Sequence, residues 1–166
     1  MPEVVGAEKI VIRDAEGAVT EEAMMKHGVL EGETVLYASG RVRARLYFEQ
    51  GLQSGEARFY DDAGEVTTRA AYKKGKLEGD SFYYGADGKL VRKSAYRNGE
   101  LNGYTTDYYP SGKPRQVSTY RDNLLDGDMV RLDEGGKVLE RLHYKKGRVQ
   151  TPPSAFKDAK LPGRKA

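Results

Sequence analysis

Tyr72-Lys73-Lys74-Gly75-Lys76-Leu77-Glu78-Gly79 is the stretch on which the fold turns, because the chain keeps returning to it. The spacing recurs in Tyr96-Arg97-Asn98-Gly99-Glu100-Leu101-Asn102-Gly103 and in Tyr120-Arg121-Asp122-Asn123-Leu124-Leu125-Asp126-Gly127. Earlier copies start at Gly28 and Gly51, so successive starts lie 23, 24, 24 and 24 residues apart, and Gly147 follows 24 later. A fixed period of this length marks a repeat architecture, in which each copy is one supersecondary unit. Eleven residues before each start stands a further glycine: Gly17, Gly40, Gly64, Gly88, Gly112 and Gly136. The three glycine columns hold 16 of the 20 glycines, so the glycine excess is turn punctuation rather than flexibility.

Two aromatic columns share the period. Tyr37, Tyr60, Tyr84 and Tyr108 precede the turn glycine, with Leu132 in the last copy. Tyr72, Tyr96, Tyr120 and Tyr144 stand three residues before the next start, with Phe48 and Met25 in earlier copies. An apolar column of Val19, Val42, Val66, Leu90, Pro114 and Val138 follows the turn glycine by two. Each copy reads as a β-hairpin: strand formers around Ser81-Phe82-Tyr83-Tyr84, a turn at Gly85-Ala86-Asp87-Gly88, and a return strand from Lys89 to Tyr96. In Arg41-Val42-Arg43-Ala44-Arg45-Leu46-Tyr47-Phe48 strict alternation gives one apolar and one cationic face.

The predicted fold is therefore all-β, an elongated antiparallel meander of about six repeated hairpins. A single array over 1–149 comprises a divergent first hairpin at 8–27 and repeats at 28–50, 51–74, 75–98, 99–122 and 123–147. Twelve strands at ~4.8 Å spacing would make a ribbon roughly 55 Å long. Charges propose a register. If Tyr60 lies opposite Glu65, then Glu56 faces Arg69, Asp80 faces Lys93, Asp128 faces Arg141 and Glu33 faces Arg45. In the fourth copy the acid becomes Tyr104 and the base becomes Val117, so charge changes together on both strands. A bulge near the turn would shift this register by one.

From Lys145 onward seven basic residues meet one acid, a local +6 that leaves the rest of the chain at −3 within the net +3. The basic pI thus belongs to the tail, read over 150–166 as flexible, and not to the sheet. The column Arg45, Arg69, Lys93 and Arg141 has acids to face within its own hairpins, so no nucleic-acid binding by the sheet is expected.

The recurring Tyr-x-x-Gly-x-x-x-Gly string, with a turn glycine between copies, resembles the MORN repeat in its bacterial variant form over about residues 28–147, and more loosely 6–27. The chain departs from the pattern familiar in eukaryotic proteins, since it has no Trp. The resemblance implies protein binding, phospholipid contact in some eukaryotic members, and, among bacterial variants, roles as antitoxins or immunity proteins. It implies no catalytic residues.

Little points to chemistry. Without cysteine there is no disulfide framework, thiolate site or catalytic thiol. His27 and His143 fall at different repeat positions, which disfavours a shared metal site. Gly135-Gly136-Lys137 lacks the rest of a phosphate loop, and Asp61-Asp62-Ala63-Gly64 lacks the alternating ligands of a calcium loop. No enzyme, metal or cofactor is expected. The N-terminus shows no basic start followed by an apolar run, and no stretch of about 18 apolar residues occurs, so a cytoplasmic location is expected.

Function must then lie in a surface. Gly17, Gly40, Gly64, Gly88, Gly112 and Gly136, with Tyr60, Tyr84, Tyr108, Tyr72, Tyr96 and Tyr120, are assigned to structure. Positions that break the lattice are the candidates for partner contact: Tyr104, which replaces an acid; Tyr109, an added aromatic beside the turn; and Arg41, Arg43, Lys113 and Arg115, cations without an obvious mate. The expected partner is a protein of the toxin or secreted-effector kind, bound by occlusion. The alternatives are a peripheral membrane or scaffold module whose basic tail meets anionic lipid, and an adaptor of a secretion system.

Overall fold

A computed structural model describes residues 6–150; the tail assigned to 150–166 lies, apart from Gln150, outside the described residues. The fold is all-β, an open antiparallel meander of fourteen strands, with no helix among the described residues. In chain order these are β1 (Glu8–Arg13), β2 (Val19–Lys26), β3 (Val29–Ala38), β4 (Arg41–Glu49), β5 (Leu52–Gln53), β6 (Gly55–Tyr60) and β7 (Val66–Lys73). They continue with β8 (Lys76–Tyr84), β9 (Leu90–Arg97), β10 (Glu100–Tyr108), β11 (Pro114–Arg121), β12 (Leu124–Leu132), β13 (Val138–Lys145) and β14 (Arg148–Val149). Two strands exceed the twelve expected. Ser54, whose N–H donates to Tyr47 O, splits β5 from β6, and the short β14 opens after Gly147. The chain forms two compact units, Met1–Glu78 and Gly79–Ala166.

Two kinds of turn alternate, except at Ser39-Gly40, where β3 meets β4 through the shorter kind, and the glycine columns mark both. Lys74 and Gly75 have φ of 51° and 78°, the paired positive values of a two-residue type I′ hairpin. His27-Gly28, Gln50-Gly51, Asn98-Gly99 and Lys146-Gly147 repeat it. Asn123 holds the same place at φ 65°, because its short amide tolerates the left-handed region. The other turn is longer. The Asp61 N–H donates to Glu65 O, the Gly64 N–H donates to Asp61 O, and Gly64 closes it at φ 86°. Asp61 Oδ1 accepts from the N–H groups of Ala63 and Glu65, so this acidic loop spends its carboxylate on its own backbone.

The register corrects the charge-based expectation. Tyr60 pairs with Val66, not Glu65, and a bulge between Phe59 and Tyr60 slips the strands again, so Phe59 faces Thr68 and Glu56 faces Ala71. The same bulge recurs between Leu36 and Tyr37, Tyr83 and Tyr84, Asp107 and Tyr108, and Arg131 and Leu132. The first aromatic column therefore sits directly opposite the apolar column, as in Tyr84 with Leu90 and Leu132 with Val138. The acids and bases still meet, now diagonally, a distance long side chains span. Arg69 Nη2 lies 2.6 Å from Glu56 Oε2, Lys93 Nζ 2.7 Å from Asp80, Arg141 Nη1 3.0 Å from Asp128 and Arg45 Nη1 3.1 Å from Glu33.

The second glycine column has a different task. Gly32, Gly55, Gly79, Gly103 and Gly127 each face an aromatic residue of the second column: Phe48, Tyr72, Tyr96, Tyr120 and Tyr144. At Gly127 a Cβ would stand 2.9 Å from Thr119 Cβ and φ is 128°, so side chains are excluded on two counts.

Candidate functional site

Side chains alternate along each strand, so direct register partners share a face and form rows across it. One face carries a row made mostly of small residues, with Leu46 and Met129 as the large exceptions. In the first unit it reads Ala23–Thr34–Leu46, and Ala57 opposite Ala70. In the second it reads Ser81–Ser94–Thr105–Ser118–Met129. Ala57, Ala70, Ser81, Ser94 and Ser118 are all buried. The reverse face holds the diagonal ion pairs, and Lys93 Nζ lies 5.6 Å from the centroid of the Phe82 ring.

The next row on the small-residue face changes character along the chain. In the first unit it is Leu36–Ala44–Phe59–Thr68. In the second the same repeat positions read Tyr83–Arg92–Asp107–Gln116–Arg131–Glu140. Tyr83, Arg92, Asp107 and Gln116 of this row help to bound a groove of about 540 Å³. Its floor is Ser94, Thr105 and Ser118; one flank is Tyr96, Leu101 and Tyr120; the other is Tyr83, Arg92, Asp107, Arg115 and Gln116.

The floor is hydrogen-bonded. The Thr105 hydroxyl donates to Ser94 Oγ over 3.2 Å, Gln116 Nε2 donates to Ser118 Oγ over 3.1 Å, and the Tyr83 and Tyr96 hydroxyls meet at 3.1 Å. Arg92 Nε lies 2.6 Å from Oδ1 of the buried Asp107. That bond to Asp107 pushes the Arg92 pKa up, against the opposing effect of burial, so the guanidinium is held charged. Arg115 has no hydrogen-bond or ion-pair partner among the described residues. With Arg92, Asp107 and Arg115 the groove carries one excess positive charge.

The other lattice-breaking candidates behave differently. Arg41 donates to the carbonyl oxygen of Asp62 and Arg43 pairs with the Asp62 carboxylate, so these two, expected to be without mates, have one. Lys113 Nζ donates to Glu134 O over 2.8 Å, which corrects the same expectation there. Tyr109 takes the turn position that Asp61 and Asp133 hold elsewhere, and its hydroxyl donates to Leu132 O over 2.7 Å. Tyr104 is exposed and opposite Thr119, on the reverse face from the groove. Only Arg115 among the six lines the groove.

Arg92, Asp107 and Gln116 were not singled out in the sequence. The signal was present: aligned by column, Leu36, Phe59, Tyr83 and Asp107 share one position, and Ala44, Thr68, Arg92 and Gln116 another. It becomes readable only once the bulge sets those columns opposite each other. Neither histidine joins the groove: His27 sits in a type I′ turn, and His143 Nδ1 lies 2.8 Å from Asp128 Oδ1. Among the described residues no three His, Cys, Asp or Glu side chains are grouped to hold a metal.

Residues 101–122, the β10–β11 hairpin that forms the middle of the groove, match the MORN repeat variant family, which supports a MORN-repeat protein. MORN repeats are in general protein- or membrane-binding modules. No curated protein matches the chain. Among solved structures, the chain is similar to one titled "Crystal structure of GtfA/B complex bound to UDP and GlcNAc", at 18% identity and a TM-score of 0.27, over 83% of this chain. The match spans 24% of that protein's length, and at that TM-score it carries no argument about function.

Proposed function

We propose that the chain is a non-catalytic, cytoplasmic protein-binding repeat module, and that it serves as a bacterial antitoxin or immunity protein, neutralising a cognate toxin by covering it. The observation that carries this reading is the polar row beside the small-residue floor of the second unit. The first unit folds with Leu36, Ala44, Phe59 and Thr68 at the same places, so the hairpin architecture has no need of Arg92, Asp107 and Gln116. A groove whose floor is already hydrogen-bonded is preorganised, which lowers the ordering cost of binding. The MORN-repeat match supports a binding role and assigns no toxin. Coexpression with the product of the neighbouring gene tests the reading. The two proteins should copurify, and growth inhibition by that product should be relieved; absence of both results overturns it.

A second reading has one observation in its favour, the +6 charge from Lys145 onward. Clustered cations are drawn to anionic lipid, as a peripheral membrane or scaffold module would require; an adaptor of a secretion system would instead differ from the antitoxin only in its protein partner. Cosedimentation with phosphatidylserine vesicles, comparing the full chain with a version ending at Gln150, separates the two. Equal absence of binding removes the membrane reading.

A further inference from the structure

We infer that the groove on the small-residue face of the second unit receives an acidic segment of a partner protein, with Arg115 as the fork that takes the carboxylate. The inference rests on the protein-binding reading and specifies the chemistry of its contact. Across the reverse face cations are matched within the chain: Arg45 with Glu33, Arg69 with Glu56, Lys93 with Asp80 and Arg141 with Asp128. Beside the groove the bookkeeping differs. Asp107 takes the Nε–H of Arg92, so the remaining donors of Arg92 and all those of Arg115 have no acceptor among the described residues.

Guanidinium N–H groups in a planar fork fit a carboxylate with two parallel bonds. The charge at the site selects for an anion, and the flanking Tyr96 and Tyr120 give a peptide apolar rings to lie against. Asp107 is the one acid in the groove lining, and it is occupied by Arg92, so it does not neutralise Arg115. An incoming carboxylate would therefore meet a cation that needs no partner to be displaced first.

The probe is hexaglutamate, titrated into the ¹⁵N-labelled full chain and followed by NMR. Saturable shifts are expected at the amides of Ser94, Thr105 and Gln116 and at the Nε–H of Arg92 and Arg115. Arg115→Ala should weaken the binding about tenfold, the loss of one charge-assisted contact. Lys76→Ala, which removes an exposed cation outside the groove, should leave it unchanged. Shifts that spread over the cationic surface, or that survive Arg115→Ala undiminished, overturn the inference. So do identical shifts produced by inorganic phosphate at lower concentration, which would make this a small-anion site. If the neighbouring gene product copurifies equally well with Arg115→Ala and hexaglutamate gives no shift, the groove assignment falls while the protein-binding reading stands. If hexaglutamate binds as expected but the neighbouring gene product neither copurifies nor is neutralised, the groove's preference for acidic peptide stands and the antitoxin reading falls.

Discussion

On the small-residue face the first unit sets Leu36, Ala44, Phe59 and Thr68 beside a floor that includes Ala57 and Ala70, whereas the second sets Tyr83, Arg92, Asp107 and Gln116 beside Ser81, Ser94, Thr105 and Ser118. Both units share the type I′ turn, the bulged long turn and the glycine-against-aromatic pair. Hairpin geometry therefore accepts alanine, serine or threonine at most floor positions, and it leaves the polarity of the face open. What the second unit adds is not needed to fold, which is why its row carries the functional assignment.

The largest difference should appear where the units bury the bulge residue differently. Leu132 is 2% exposed and takes the column position that Tyr60 holds, half-buried, in the first unit. Leu132→Ala should cost about 3 kcal/mol in urea unfolding, through lost transfer energy and the cavity left behind. Tyr60→Ala should cost clearly less, and equal losses would break the comparison.

Glycine substitutions come next. Gly127→Ala places a Cβ 2.9 Å from Thr119 Cβ at φ 128° and should cost about 2 kcal/mol, by strain and crowding together. Gly28→Ala, with nothing within 4 Å, meets only the φ penalty and should cost about 1 kcal/mol. Thermal midpoints of the two variants rank them.

The floors themselves can be exchanged. The Ser81 hydroxyl is buried without a hydrogen-bond partner among the described residues, at a place where the first unit has alanine, Ala57. Ser81→Ala should stabilise by about 1 kcal/mol, because a buried unsatisfied hydroxyl is removed. A loss of stability instead would show that the hydroxyl has a partner in solution.

The smallest effect is electrostatic. The Arg69 hydrogen bond, assisted by Arg58, holds the Glu56 carboxyl below its ordinary pKa of 4.5. A lowered folded-state pKa stabilises above 4.5 and loses that contribution as pH falls through the folded value. The pair is partly exposed, so the contribution should stay below about 1 kcal/mol. Melting at pH 7 and pH 3 should show a larger drop for the natural chain than for Glu56→Gln.

Much of this was legible in the sequence. The glycine and tyrosine spacing placed the hairpins and the turn glycines, and charge matching found the partners of four cross-strand ion pairs, because turn glycines and alternation are local signals. The register was not, since the bulge beside Tyr60 inserts a residue that only the ladder of hydrogen bonds reveals. A second register shift, between Leu101 and Thr105, sets β9 against β10; without it Arg92 had no visible relation to Asp107, and the groove they flank could not be assembled. Arg115 was found because it breaks the lattice; Arg41, Arg43 and Lys113 break it too, but reach acceptors 19 to 21 residues away along the chain.

The most direct test of the account is calorimetric titration of the full chain with the product of the neighbouring gene, comparing Arg115→Glu with Lys76→Glu. The account predicts that Arg115→Glu weakens binding at least about tenfold, while its melting temperature and the affinity of Lys76→Glu stay unchanged. Equal affinities for the two variants would contradict it.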